Sequence, residues 1–197
     1  MALRKYKSLL LAVTAVSALL LVSPVLQQFL VVPQTDFFTE LSLYGQYHNA
    51  TYPYNVTAAQ TYQLYLDVAN HLDQDAKYIV EVKFGNETQS APDSFNHTAS
   101  TLPSLGNYSF SVSNNQTFEL PITFSLQYIL NSKVNQLNLQ NITLSGRTET
   151  LSGAFAWDTQ NRGFYGNLYF ELWIFNDTTG SYQYNQRFVS LWLNLNT

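Results

Sequence analysis

Histidines and carboxylates are the side chains in this 197-residue sequence that can support acid–base or metal chemistry. The three histidines are His48, His71 and His97, and no two of them have the i, i+4 spacing that places two metal ligands on one helix face. His48 and His97 each adjoin an asparagine in segments predicted to be loops. We therefore expect structural or solvated histidines, and a copper or zinc site that adds a carboxylate is the alternative.

Nucleophiles and catalytic carboxylates give no stronger indication of an enzyme. The sequence has no cysteine, which excludes a thiol nucleophile, and it lacks the Gly-x-Ser-x-Gly motif that exposes a catalytic serine. Glu81, Glu119 and Glu171 fall at outward positions of predicted strands, where solvent contact is the ordinary role of a carboxylate. A glycosidase pair needs a spatial separation that sequence spacing does not define. We predict no enzymatic activity, no catalytic or metal-binding residue and no cofactor.

Eight Asn-x-Ser/Thr sequences, none with proline in the middle, are the modification sites that the chain offers. This density favours an outward-facing domain that carries N-linked glycans, and loops rich in Asn and Thr are the alternative explanation. The expected glycosylation sites are Asn49, Asn55, Asn86, Asn96, Asn107, Asn115, Asn141 and Asn176.

An uncharged run over residues 8–32 predicts where this domain is held. Three basic residues precede the run, and the next charged residue is Asp36. About 20 apolar residues cross a bilayer core, and a basic flank stays in the cytoplasm. We predict a cytoplasmic flank at 1–7, an uncleaved transmembrane signal-anchor helix at 8–32 and an extracellular domain at 33–197. The protein would then be a single-pass protein of the cell membrane.

Polar residues at the outer end of this run bear on its neighbours. Gln27 and Gln28 lie either at the level of the lipid headgroups or against a neighbouring transmembrane helix. Only four residues separate the predicted anchor from the first predicted strand, so the domain is expected close to the bilayer and to other integral proteins. A pilin-like helix, cleaved near Ser8 and packed into a filament core, is the alternative.

Composition limits the class of partner. The predicted extracellular domain carries six basic residues against 13 acidic residues, a net formal charge of −7, so it has no basic patch for nucleic acid. Aromatic residues make up 15% of the chain, which argues against disorder. The absence of cysteine favours a prokaryotic surface over a disulfide-stapled secreted module. Low charge and dense glycosylation motifs together favour an archaeal cell envelope.

Alternation of apolar and polar residues predicts a β-rich domain. Leu64, Leu66 and Val68, for example, share one face of a predicted strand. Pro121 lacks an N–H group, which predicts an edge strand, and 125–133 is predicted to contain a helical turn. Eight to ten short strands predict an antiparallel, immunoglobulin-like β-sandwich. The same alternation recurs at 77–84, 108–112, 117–124, 137–144, 150–157, 163–175 and 187–195.

The last predicted hairpin has two apolar faces. One face is assigned to the core and consists of Leu168, Phe170, Leu172 and Ile174 with Leu191, Leu193 and Leu195. The opposite face would present Tyr169, Trp173, Phe175, Phe188 and Trp192. Because a sandwich buries only one face of each sheet, this second face is either covered by residues 130–157 or offered to a partner.

Three stretches together resemble one family. They are Phe38-Thr-Glu-Leu-Ser-Leu-Tyr-Gly45, then Tyr52-Pro-Tyr-Asn-Val-Thr57 with the strand and the Asn70-His71 pair that follow, and the final aromatic hairpin. They resemble the outer domain of an archaeal membrane-protein family, the domain of unknown function 1616. The resemblance implies an archaeal source and an immunoglobulin-like outer domain, and it implies no activity. Residues 130–165 look like an insertion, and this chain has one predicted membrane helix where the family often has several.

Together these observations predict a non-catalytic, membrane-anchored and N-glycosylated archaeal envelope protein. The expected role is that of an accessory or structural subunit, with the lipid bilayer and integral membrane proteins as partners. A binding module for cell-surface glycan or a surface layer, acting through the aromatic face, is the first alternative. A pilin-like filament subunit is the second.

Overall fold

A computed structural model of the chain describes residues 6–7, 11–14, 16–17 and 37–196. Residues 11–14 and 16–17 are helical. Within the described residues, no helix combines the length and apolar character needed to cross a membrane. The remainder of the predicted anchor, with Gln27 and Gln28, lies outside the described residues. Phe37–Thr197 forms one compact unit.

This unit contains ten strands, the upper end of the predicted number. Their bounds are β1 (Phe38–Gly45), β2 (Asn55–Thr57), β3 (Tyr62–His71), β4 (Ala76–Asn86), β5 (Gly106–Val112), β6 (Gln116–Asn131), β7 (Gln136–Leu144), β8 (Arg147–Ala156), β9 (Tyr165–Asn176) and β10 (Ser181–Asn196).

The strands form two five-stranded sheets. The first sheet has the order β1-β3-β6-β7-β8 and the second has the order β2-β10-β9-β4-β5. The pairs are antiparallel apart from β2 and β10, which run parallel over three residues. The predicted all-β fold with two sheets, in a sandwich-like arrangement, is therefore confirmed.

The core follows the period-2 pattern of the sequence. Leu64, Leu66 and Val68 of the first sheet are fully buried, as are Val80 and Leu172 of the second. One set of alternate residues from each sheet therefore packs into a single apolar cluster. On the last hairpin, six of the seven predicted inner residues are buried, namely Leu168, Phe170, Leu172, Leu191, Leu193 and Leu195, and the seventh, Ile174, is half-buried.

Pro121 does not lie on an edge strand, so that prediction is wrong. β6 is the central strand of the first sheet. However, β7 pairs with β6 only from Phe124 onward, and Pro121 faces Tyr65 of β3 on the half that β7 does not reach. The missing N–H therefore falls where one side of a central strand has no neighbouring strand in the described chain.

The helical turn predicted at 125–133 is also wrong. These residues continue β6 to Asn131, because Leu126 and Tyr128 alternate inward with Phe124 and are buried. The Tyr128 hydroxyl lies 2.6 Å from the carbonyl oxygens of both Val56 and Asn196, which ties the end of β6 to the second sheet.

The predicted insertion at 130–165 contains integral parts of the sandwich. It includes all of β7 and β8, which extend the first sheet beyond β6. Leu137, Leu139 and Phe155 from these strands are buried in the common core. Because β7 and β8 belong to the first sheet, they do not cover the outer face of the second.

Candidate functional site: the outer face of the second sheet

The strands β4, β9 and β10 bring aromatic and charged side chains together on the outer face of the second sheet. The register pairs Ile79 with Trp173 and Trp173 with Tyr184, so these three side chains form one row across the sheet. Phe175 lies opposite Tyr182 in the next row. Sequence alternation places β9 residues on this face, but only strand pairing shows which residues adjoin.

A buried ion pair lies at the centre of this face. Lys83 Nζ donates to Glu171 Oε2 at 2.7 Å, and these side chains are 5% and 0% exposed. Glu81 Oε2 lies 3.5 Å from the same ammonium group. The prediction that Glu171 contacts solvent is therefore wrong, although the residue does lie on the outer face.

The segment between β4 and β5 explains this burial. The backbone N–H of Ser100 donates to Glu171 Oε1 at 2.7 Å, and Lys83 Nζ donates to the Ser100 carbonyl at 2.8 Å. The segment thus crosses the sheet and covers the ion pair. Tyr169 is buried as well, and burial raises the pKa of its hydroxyl above the ordinary range. Tyr169 is consequently not presented on the accessible surface.

Five further aromatic residues of this face form what we call the aromatic stripe: Trp173, Phe175, Tyr182, Tyr184 and Phe188. All five are half-buried. The ring centroids of Trp173 and Tyr184 lie 5.6 Å apart, and those of Phe175 and Tyr182 lie 5.2 Å apart. The stripe therefore unites three of the five residues predicted to bind a partner.

Two polar atoms of the stripe are buried without a hydrogen-bond partner in the described part of the chain. They are Trp173 Nε1 and the Tyr184 hydroxyl. Burial, followed by the nearby Glu171 carboxylate, raises the pKa of Tyr184 to about 12. The hydroxyl therefore stays protonated at neutral pH.

Trp192 lies apart from the stripe, in a cleft of about 450 Å³. The other residues that line this cleft are Tyr54, Glu87, Asn161 and Tyr165. Sequence reasoning did not single out these four, because Tyr54 and Tyr165 are 111 residues apart and meet only through the pairing of β2, β10 and β9.

A second titratable cluster lies on the outer face of the first sheet. Asp67 and Glu119 face each other across β3 and β6, and His48 Nδ1 lies 3.1 Å from Glu119 Oε2. The His48 ring stacks on Tyr65 at 3.9 Å. Burial and the Glu119 carboxylate raise the pKa of Asp67, while His48 acts in the opposite direction.

The remaining histidines do not join this cluster. His71 Nδ1 lies 3.4 Å from Asn115 Oδ1, and its ring packs against Phe38. His97 is an exposed residue with a positive φ in the segment between β4 and β5. Among the described residues, no three His, Cys, Asp or Glu side chains are grouped closely enough to hold a metal ion.

The eight asparagines of the glycosylation motifs lie at the surface to different degrees. Asn86, Asn141 and Asn176 are half-buried. The other five, Asn49, Asn55, Asn96, Asn107 and Asn115, are exposed.

Comparison with known proteins gives a family and distant structural neighbours. No protein of curated function matches the chain. A β-glucosidase from Listeria innocua has 8% identity and a TM-score of 0.41, and the alignment covers 81% of this chain and 16% of that chain. The CARDB domain of a Pyrococcus furiosus protein, in complex with di-metal ions, has 8% identity and a TM-score of 0.39, with coverages of 81% and 90%.

The profile of the family described as a domain of unknown function (DUF1616) matches residues 32–139. The match includes β1 and the segment leading into β3, as the resemblance of the sequence predicts. It also includes residues 85–129, which that resemblance did not cover, and it ends before the last hairpin. Because it spans more than half of the chain, the protein belongs to the DUF1616 family.

Proposed function

We propose that the protein is a non-catalytic, membrane-anchored accessory or structural subunit of a larger membrane protein complex in an archaeal cell envelope. The observation that carries this proposal is the aromatic stripe on β9 and β10. Half-exposed Trp, Tyr and Phe side chains, gathered on one sheet face, are typical anchors of a protein–protein interface.

The surroundings of the stripe define the chemistry of the proposed partner. Its five rings offer an apolar, aromatic contact surface. Lys77 Nζ, 5.4 Å from the centroid of the Phe175 ring, adds one positive charge at the rim of the stripe. The partner surface is therefore proposed to be apolar, with a carboxylate at its edge.

The finer predictions of architecture and place belong to the same proposal. The two antiparallel sheets are consistent with an immunoglobulin-like sandwich, although β2 and β10 pair in parallel. An anchor at 8–32 would bring the sandwich to the extracellular surface, beside the outer segments of integral proteins. The exposure of five motif asparagines is compatible with N-linked glycans at those positions.

Mass spectrometry of the protein purified from native membranes in mild detergent tests this proposal. We expect a fixed set of integral membrane proteins in stoichiometric amounts, an intact N-terminus and added glycan mass. The variant Phe188→Arg places a charge in the stripe and is expected to remove those partners. Ile129→Arg, at a 57% exposed position at the far end of β6, is the matched control and is expected to retain them.

A monomer without partners would contradict the subunit proposal. Equal loss of partners in both variants would contradict the assignment of the interface to the stripe. Thermal unfolding of each variant shows whether it is folded, so that a loss of partners is not mistaken for a loss of structure.

A further inference from the structure

The cleft around Trp192 combines aromatic rings with hydroxyl, amide and carboxylate groups. Tyr54 and Trp192 are 52% and 44% exposed, and Tyr165 is half-buried between the strand ends. The Tyr54 and Tyr165 rings are inclined by 39° with centroids 6.4 Å apart, so they do not close on each other. Their faces are available to a ligand, and a volume of about 450 Å³ lies within the usual range of small-molecule sites.

Hydrogen bonds hold the polar side of this cleft in place. The Tyr54 hydroxyl donates to the Tyr165 hydroxyl at 3.4 Å, and the Tyr165 hydroxyl donates to the Asn161 carbonyl at 2.8 Å. Asp158 accepts from the backbone N–H groups of Gln160 and Asn161 at 2.7 and 3.0 Å, which fixes the turn. The hydrogen bond that it shares with Tyr54, followed by burial, raises the pKa of Tyr165 to about 12, so this phenol stays neutral at pH 7.

We propose that this cleft is a binding site for a neutral saccharide. The C–H groups of a sugar ring carry partial positive charge and pack on the electron-rich faces of Trp192 and Tyr54. The Tyr54 hydroxyl, the Asn161 amide and the Glu87 carboxylate supply acceptors and donors for ring hydroxyls. Glu87 is the one charged residue that lines the cleft, so it disfavours acidic sugars.

Two sources of saccharide are compatible with the site. Tyr54 precedes the glycosylation motif at Asn55, and Glu87 follows the motif asparagine Asn86. A glycan on the chain itself could therefore occupy the cleft, and so could a saccharide of the cell envelope. The proposal is independent of the subunit proposal, because the cleft shares no residue with the aromatic stripe and neither site requires the other.

Calorimetric titration of the full-length protein with cellobiose and maltose tests the site. The protein is kept in an amine-oxide detergent, because a detergent with a sugar headgroup would compete. We expect saturable binding of at least one disaccharide, and weaker binding of glucuronic acid than of glucose. Trp192→Ala is expected to weaken binding about tenfold, since one of the exposed rings is lost.

Two further variants make the test specific. Glu87→Gln changes an exposed side chain, leaves the fold intact and is expected to abolish the preference for glucose over glucuronic acid. Tyr47→Ala removes a 72% exposed ring that lines a different cleft, of about 250 Å³, and is expected to bind as the unaltered protein does. A Thr57→Ala, Thr88→Ala variant from the same host lacks the glycosylation motifs at Asn55 and Asn86 and so separates the two sources. Tighter disaccharide binding by this variant would identify the chain's own glycans as occupants of the cleft. Equal binding would identify an external saccharide.

The proposal would be overturned if neither the unaltered protein nor the Thr57→Ala, Thr88→Ala variant binds a disaccharide. Binding that is unaffected by Trp192→Ala, or lost in Tyr47→Ala, would also overturn it. The same applies if a proline-rich peptide, which aromatic clefts can also hold, binds in preference to both disaccharides.

Discussion

At the residue scale, Lys83 and Glu171 show how strongly long-range contacts alter the role of a side chain. Both occupy outward positions of their strands, and the alternation of the sequence predicts solvent contact at such positions. They are nevertheless buried, because Ser100 crosses above them and hydrogen-bonds to both. The attraction between the two charges of a buried ion pair offsets the large cost of removing them from water. Removal of one partner is therefore destabilising, because the other charge stays buried without compensation.

We predict that Lys83→Met lowers the free energy of unfolding by about 3–5 kcal/mol, because it leaves the Glu171 carboxylate buried without a counter-ion. The double variant Lys83→Met, Glu171→Met should lose less than the sum of the two single variants. Urea unfolding of the full chain in detergent measures each value. Lys77→Met, which removes an exposed lysine from the same strand, is the control and should cost less than about 1 kcal/mol. Equal losses at Lys83 and Lys77 would contradict the role of the ion pair.

The carboxylate pair on the first sheet predicts a dependence on pH. Burial and Glu119 raise the pKa of Asp67 above its ordinary value of 3.8 in the folded state. Protonation therefore favours the folded state, and this contribution is complete below about pH 3.8 and lost as pH rises through the raised pKa. Asp67→Asn should stabilise the protein at pH 7 by about 0.5 kcal/mol, since like charges no longer face each other.

Urea midpoints at pH 7 and pH 3.5 measure this gain, which should shrink at the lower pH because Asp67 is then mostly protonated in both states. Glu40→Gln is the control, because Glu40 is exposed and lies opposite Ala69 on the same sheet. A gain of equal size at both pH values would show that the charge of Asp67 is not its cause.

At the element scale, β6 shows how proline can occur in a central strand at a position that lacks a neighbouring strand on one side. Proline has no N–H to donate to a neighbouring strand, which is why Pro121 predicts an edge strand. β6 is central, but its first half extends past the end of β7. The Ser145 N–H donates to the Thr123 carbonyl, so the backbone groups of Thr123 face the β7 side of β6. Backbone groups of residues two apart in a strand face the same side, so the Pro121 nitrogen also faces the β7 side, where β7 does not reach it.

We predict that Pro121→Thr promotes self-association with little change in stability. The substitution adds an N–H group at an unpaired strand edge, which is a template for pairing with another chain. Sedimentation velocity of the full chain in detergent should show a larger oligomer at high concentration, while the urea midpoint stays nearly constant. Pro103→Thr, at an exposed position of the segment between β4 and β5, is the control and should leave the oligomeric state unchanged. Identical sedimentation of the two variants would argue against edge protection by Pro121.

At the scale of the whole molecule, the two outer faces of the sandwich differ in chemistry. The first sheet exposes a polar row in which Asp67 faces Glu119. The second sheet has the aromatic stripe, and its other outward residues are partly covered by the segment between β4 and β5. This difference is the reason for assigning the proposed interface to the second sheet.

The fold was largely predictable from the sequence, because burial imposes a local pattern. Alternation of Leu64, Leu66 and Val68 fixes which side of β3 is apolar wherever that strand lies, and the same reasoning holds for the last hairpin. The helical turn predicted at 125–133 failed because Ser125 and Gln127 alternate with the buried Leu126 and Tyr128, which continues the period-2 pattern of the strand.

The candidate sites were much less predictable, since they depend on which distant segments meet. The sequence by itself determined the all-β class, the membership of the DUF1616 family and the inward residues of most strands, all of which follow from local periodicity or from motifs. Only the tertiary structure decided that Glu171 is buried, that Tyr169 is covered, and that Tyr54, Tyr165 and Trp192 line one cleft. The physical reason is that strand order and loop paths arise from the packing of the whole core, and no local stretch of sequence encodes them.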